Sequence, residues 1–187
     1  VGKIRLTGGE PLIRNNVMSL IKRMGELPGL DQLAITTNGS QLQRLAPELK
    51  ASGVQRVNIS LDSLNPRKFR HLTRHGNLDQ VIAGIDAAVA AGFKGIKINA
   101  VVLKGRNEGE VVELVKFARQ REIDIAFIEA GQYDEAWSDV HMFPNQTVQA
   151  AFDLNAATLL PIHNTKFVLA LHGWDEPLEE VTIEGQR

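Results

Sequence analysis

Short apolar runs alternate with longer amphipathic stretches through the first two-thirds of the chain. Runs rich in β-branched residues, bounded mostly by glycine, asparagine or polar residues, predict strands at residues 3–7, 32–36, 56–60, 96–102 and 124–129. Between them, apolar residues recur at helical spacing over residues 16–26, 41–52, 77–91 and 108–120. Gly53 and Gly92 follow two of these stretches, at positions where glycine commonly ends a helix. The pattern predicts a repeated strand and helix unit.

Such a repeat is typical of a parallel sheet with crossover helices, so the fold class is α/β. A doubly wound sheet and a barrel both satisfy the pattern, and we favour a partial (βα) barrel. The polar segments 7–10, 37–39 and 60–62 each follow a predicted strand, where (βα) barrels build their sites. Taken alone, Gly8-Gly9 and Asn38-Gly39 would each be interpreted as a tight turn that needs a positive φ. Their shared position after successive strands favours a site.

Composition excludes several classes of protein. The 187 residues are 43% hydrophobic and carry a formal net charge of -1, so we expect no nucleic-acid partner. No apolar run is long enough for a membrane span, and the predicted location is the cytoplasm. The chain has no cysteine, which leaves histidine and carboxylate side chains as metal ligands. The composition does not exclude a homo-oligomer.

Residues 1–129 resemble the GTP 3′,8-cyclases of molybdenum-cofactor biosynthesis, a radical S-adenosylmethionine (SAM) family. The resemblance rests on Thr7-Gly8-Gly9-Glu10-Pro11, Thr36-Thr37-Asn38-Gly39 and Ser60-Leu61-Asp62-Ser63. It implies that Gly8, Gly9, Glu10 and Pro11 contact the methionine moiety of SAM and that Ser60 also contacts SAM. We therefore expect a radical SAM-like barrel.

The same resemblance matches Arg5, Thr36 and Lys97 to residues that contact GTP in the family. Arginine and lysine suit the oxygens of a triphosphate. The alternative is that Arg5 and Lys97 are strand cations paired with Glu10 or Asp62. On the site interpretation, the loops after the parallel strands meet at the C-terminal ends of the strands and form one shared concavity. Its predicted lining residues are Thr7, Gly9, Thr36, Asn38, Ser60, Asp62 and Lys97.

The family binds a [4Fe–4S] cluster through a Cys-x-x-x-Cys-x-x-Cys loop, and thiolates are the usual ligands of such clusters. That loop precedes the position that matches Val1, and a second cysteine set follows the position that matches residue 129. Without cysteine we expect no cluster, no radical formation and no catalytic residue in this chain. SAM or GTP binding is the most that the resemblance then implies.

Residues from about 127 to 187 are similar to the C-terminal part of metallo-β-lactamase-fold hydrolases of the N-acyl-phosphatidylethanolamine phospholipase D type. The similarity predicts a second segment, 130–187. Within it, Pro144 and the residue pattern predict a helix at 145–156, a strand at 158–162 and a helical turn or two at 167–172. The similarity matches His163 to a zinc ligand. We do not expect zinc, because the family's other ligands are missing and zinc needs three or four.

Phe127-Ile128-Glu129 fits both families, which predicts a chimera joined at a strand. Two other interpretations stay open. One is a metal-dependent hydrolase that uses His163 with Asp134, Asp139 or His141. The other is a folded scaffold without a small-molecule function.

Overall fold

The computed structural model describes residues 1–103, 105–128, 148, 149 and 152. The chain forms two compact units: Val1–Ala100 with Lys116–Ala126, and Val101–Val115 with Phe127–Arg187. The predicted strand at 158–162 and helical turn at 167–172 lie outside the described residues, as does most of the predicted helix at 145–156. The predicted division of the chain at residue 129 stays a prediction.

Five strands form one sheet in the order of the sequence. They are β1 (Lys3–Leu6), β2 (Gln32–Thr37), β3 (Val54–Ser60), β4 (Gly95–Val101) and β5 (Asp124–Ile128). The pairs β1–β2, β2–β3 and β3–β4 are parallel. A doubly wound sheet reverses its strand order at a switch point, whereas a barrel adds each strand beside the last. The sequential order confirms the predicted α/β class and agrees with a partial barrel.

The helices of the described chain are α1 (Val17–Gly25), α2 (Leu42–Ala51), α3 (Pro66–Thr73), α4 (Leu78–Ala90) and α5 (Val111–Gln120). Four of them were predicted, with ends that differ by a few residues. Gly53 and Gly92 have φ values of +86° and +76°, so both end a helix in the left-handed conformation, as predicted. The predicted start of α5 at residue 108 is wrong because Glu108–Glu110 forms a 3₁₀ turn ahead of the helix.

Helix α3 was not predicted from the sequence. Its residues are mostly charged or polar, and Phe69 is its buried residue, so it lacks the apolar periodicity of a longer helix. A local signal starts it instead. The Asn65 side-chain oxygen accepts hydrogen bonds from the backbone N–H groups of Arg67 at 3.0 Å and Lys68 at 3.2 Å, and Pro66 follows the cap.

The core of the larger unit lies between the sheet and its helices. The in-register row Leu6, Ile35, Val57 and Ile96 belongs to one face of the sheet, and the last three of these side chains are buried. Helix α2 adds the buried residues Leu42, Leu45 and Leu49. Burial of such a side chain stabilises the fold by about 1.5–3 kcal/mol. One face of the sheet is therefore committed to packing.

No helix in the described part of the chain combines the length and the apolar character that a membrane span requires.

Candidate functional site

The second face of the sheet is polar. Arg5, Ala34, Arg56 and Gly95 form one in-register row across β1–β4. Thr36, Asn58 and Lys97 form the next row, and Ser60 pairs with Asn99 in the row after it. Because side chains alternate along a strand, these rows share a face. The sequence-predicted residues Arg5, Thr36, Ser60 and Lys97 thus lie on one face of one sheet.

This polar face carries positive charge. Arg5, Arg56 and Lys97 stand on it, and the strand residues of β1–β4 that share it include no aspartate or glutamate. Arg5 is exposed and Lys97 is half-buried. Neither forms an ion pair within the described residues. The rows could therefore accept an anionic ligand without first breaking an internal ion pair.

Glu10 links the loops that follow β1 and β2. One carboxylate oxygen accepts hydrogen bonds from the Leu12 N–H at 3.0 Å and the Thr37 hydroxyl at 2.8 Å. The other accepts from the Asn38 N–H at 2.6 Å. The alternative in which Glu10 neutralises Arg5 or Lys97 is therefore wrong: its carboxylate is held by donors of the protein's own loops.

The Gly8-Gly9 segment is open to approach. Gly8 has a φ of +134°, a conformation that favours glycine. A Cβ built at Gly8 or Gly9 would meet no atom within 4 Å, and both residues are exposed. Pro11, the last residue of the motif, begins the 3₁₀ turn Pro11–Ile13. Backbone groups of Gly8 and Gly9 are thus accessible to a small ligand. The expected contact with the methionine moiety of SAM requires such access.

The loop after β2 is a tight turn supported by its own side chains. The Asn38 side-chain oxygen accepts from the Ser40 N–H at 3.0 Å, and the Thr37 hydroxyl oxygen accepts from the Gly39 N–H at 3.1 Å. Gly39 has a φ of +80°. The turn interpretation of Asn38-Gly39 is correct for these residues, while Thr36 ahead of them points from the polar face.

Asn58 belongs to this face and was missed as a candidate by the sequence analysis. It is 5% exposed, and its side-chain nitrogen has no hydrogen-bond partner in the part of the chain that the structure describes. The signal that could have found it is an amide at the centre of a strand, between Val57 and Ile59. An apolar residue at that position would be buried without the free-energy cost of removing a polar group from water.

In the smaller unit, the loop that follows β4 is organised by buried Asn107. The Asn107 side chain accepts from the Leu103 N–H at 2.6 Å and donates to the Val101 carbonyl oxygen at 2.8 Å. The Glu108 carboxylate accepts from the Gly105 N–H at 2.7 Å and the Arg106 N–H at 3.0 Å. These side chains therefore serve to hold the loop.

A groove of about 480 Å³ lies elsewhere on the larger unit, between the Pro11–Ile13 turn, α1 and α2. Ile13, Arg14, Met18, Arg44 and Glu48 are among its lining residues. It includes none of the residues that the sequence analysis proposed. We therefore assign the candidate site to the polar face of the sheet.

Metal and cofactor ligands are limited by the side chains present. Because the chain has no cysteine, it does not fit the thiolate-bound cluster that the radical SAM resemblance implies. The described residues include no group of three His, Asp or Glu side chains arranged to hold a metal ion. His163, the proposed zinc ligand, lies outside the described residues, as do Asp134, Asp139 and His141.

Comparisons with known proteins match the two parts of the chain separately. The family model of the Radical SAM superfamily matches residues 1–118, and that of the Beta-lactamase superfamily domain matches residues 110–164. Both resemblances predicted from the sequence are confirmed. The matches overlap at residues 110–118, ahead of the predicted junction at residue 129.

Curated relatives of the first part are GTP 3′,8-cyclases. Those of Pseudomonas entomophila and Ectopseudomonas mendocina are 65% identical over 127 residues and 60% identical over 129 residues. The matched segments cover 68% and 69% of this chain, but 38% and 39% of the relatives. The chain thus spans about two-fifths of the length of these enzymes.

Solved structures show the same fold at low sequence identity. A domain of pyruvate-formate lyase-activating enzyme from Bacteroides vulgatus has a TM-score of 0.61 at 17% identity, covering 83% of this chain and 96% of that chain. Coproporphyrinogen III oxidase from Escherichia coli has a TM-score of 0.57 at 15% identity, covering 82% of this chain and 41% of that chain. Since the first family model matches well over half of the chain, the chain belongs to the Radical SAM superfamily.

Proposed function

We propose that this chain binds a purine nucleoside triphosphate and SAM but does not cleave SAM. The curated relatives are named GTP 3′,8-cyclases, so GTP is the nucleotide that we propose. The observation that carries the proposal is the polar face, which holds Arg5, Thr36 and Lys97. Neither cation forms an ion pair with another of the described residues. The cations would meet phosphate oxygens, and the Thr36 hydroxyl would add a hydrogen bond.

The SAM part of the proposal rests on the loop after β1. Exposed glycines leave the backbone of Gly8 and Gly9 open to an amino acid's carboxylate and ammonium groups. Ser60 ends β3 and is exposed on the polar face. Glu10 contributes indirectly, because its carboxylate holds the two loops in place through the Leu12, Thr37 and Asn38 donors.

The absence of cysteine is the reason that we propose no cleavage of SAM by this chain. In radical SAM enzymes a reduced iron–sulfur cluster supplies the electron that cleaves SAM. These 187 residues offer no thiolate to hold such a cluster. The residues of this chain therefore bind and orient ligands, and none is assigned to a chemical step.

Calorimetric titration with GTP and with SAM tests the proposal directly. Lys97→Ala should weaken GTP binding about tenfold, equivalent to about 1.4 kcal/mol, because it removes a charge-assisted contact. Lys94→Ala is the matched control: Lys94 is exposed just ahead of β4 and carries the same charge, away from the rows of the polar face. GTP affinity of Lys94→Ala should stay within twofold of the unsubstituted chain.

Two results would contradict the proposal. The first is an unsubstituted chain that binds neither GTP nor SAM. The second is equal weakening of GTP binding by Lys94→Ala and Lys97→Ala, which would indicate attraction by net charge and not by the polar face.

A further inference from the structure

Asn58 occupies the centre of the polar face. Its Cα pairs in register with Thr36 on β2 and with Lys97 on β4, the two neighbours proposed to contact the nucleotide. Ser60 lies two residues further along β3, one row beyond. Asn58 is therefore the strand residue between the proposed hydroxyl and ammonium contacts.

The Asn58 side chain is buried without a partner for its donor. The residue is 5% exposed, and its Nδ2 atom makes no hydrogen bond within the described chain. Two other buried polar side chains of the described residues do have partners: the Thr37 hydroxyl bonds to Glu10, and the Asn107 amide bonds to Leu103 and Val101. An amide donor without a partner opposes folding, and a leucine of similar branched shape would avoid that cost.

We propose that Asn58 is a nucleotide-contacting residue, whose side-chain amide donates a hydrogen bond to an acceptor atom of GTP bound between Thr36 and Lys97. This assignment rests on the proposed function. It gives the donor on Nδ2 the partner that the described residues do not provide. It commits Asn58 to GTP and not to SAM, because Thr36 and Lys97 share its row while Ser60 belongs to the next one.

Asn58→Leu separates this role from a role in folding. We expect it to weaken GTP binding about tenfold and to leave SAM affinity within twofold. The thermal midpoint without ligand should be unchanged or raised, because the substitution removes a buried donor that has no partner. Tripolyphosphate and guanosine, titrated separately, then show whether the acceptor atom belongs to the phosphates or to the nucleoside.

Asn77→Ala is the matched control and should behave in the opposite way. The Asn77 oxygen caps α4 by accepting from the N–H groups of Asp79 at 3.0 Å and Gln80 at 3.3 Å. Its loss should lower the thermal midpoint and leave GTP affinity unchanged. Should Asn58→Leu fail to fold, Asn58→Asp keeps the shape and removes the donor, and it should lose GTP binding while retaining SAM binding.

The outcomes are distinguishable. If the unsubstituted chain binds GTP, Lys97→Ala weakens that binding and neither Asn58 variant does, the assignment of Asn58 is wrong and the proposed function stands. Equal loss of GTP and SAM binding together with a lower thermal midpoint would also overturn it, since that pattern indicates a packing role. A chain that binds no GTP at all overturns the proposed function and this assignment together.

Discussion

At the scale of single residues, Glu10 has a structural contact that its motif does not reveal. The family resemblance matched the Gly-Gly-Glu-Pro segment to a ligand contact, and the residue pattern left open an ion pair with a strand cation. The structure instead directs the Glu10 carboxylate to three donors on its own loop and the next. Thr37 lies 27 residues away in the chain, so only the register of two strands reveals this contact.

We expect Glu10→Gln to lower the free energy of unfolding by about 2 kcal/mol, because hydrogen bonds to a charged acceptor are lost and an amide N–H replaces one acceptor oxygen. Urea denaturation of the chain measures the change. Glu26→Gln is the control, since Glu26 is exposed and its side chain makes no hydrogen bond within the described residues. Equal stability of Glu10→Gln and Glu26→Gln would show that the loop contacts contribute nothing.

At the scale of elements, the sequence predicted those with a strong apolar period and missed those made by local polar contacts. Each of the five predicted strands, placed on a short apolar run, overlaps an observed strand. Helix α3 and the Pro11–Ile13 turn were missed because each has one buried side chain, Phe69 and Leu12 respectively. Caps by Asn65 and Glu10 define their starts, and such caps are weaker signals than an apolar stripe.

The faces of the strands were only partly predictable. Alternation is clear in β4, where Ile96, Ile98 and Ala100 are buried and the residues between them are half-buried. In β3, Val57, Asn58 and Ile59 are all buried in succession, so burial alone hides the alternation. The register with β2 and β4 was needed to place Asn58 on the polar face.

Close contact between α4 and the turn after β2 gives a prediction about a glycine. A Cβ at Gly84 would lie 2.5 Å from the Gly39 carbonyl oxygen and 3.0 Å from the Leu42 Cβ. Gly84→Ala should therefore destabilise the fold by about 2 kcal/mol through overpacking, although alanine is the better helix former by about 1 kcal/mol. Thermal unfolding measures the change.

Gly109→Ala is the control for that substitution, because a Cβ at Gly109 would meet no atom within 4 Å. Its stability should stay within about 0.5 kcal/mol of the unsubstituted chain. A stabilised Gly84→Ala variant would mean that α4 can move away from the turn without loss of packing.

At the scale of the whole molecule, fold and chemistry separate. The polar face and the glycine turn after β1, which we propose to bind ligands, belong to residues 1–100. The ligands of the iron–sulfur cluster come from cysteine, which this chain lacks. On the proposed function, similarity to an enzyme over 38% of that enzyme's length carries the binding surface across without carrying the reaction.

The final prediction tests that separation. After anaerobic incubation with iron and sulfide, the chain should show no iron–sulfur absorption and should form no 5′-deoxyadenosine from SAM under strong reductant, because no thiolate is available to ligate iron. A full-length GTP 3′,8-cyclase treated in parallel is the positive control. SAM binding by calorimetry should persist in the same preparation, which distinguishes an intact but electron-deficient site from an unfolded one. Formation of 5′-deoxyadenosine by this chain would mean that ligands other than cysteine hold a working cluster, and the separation of binding from chemistry would then be wrong.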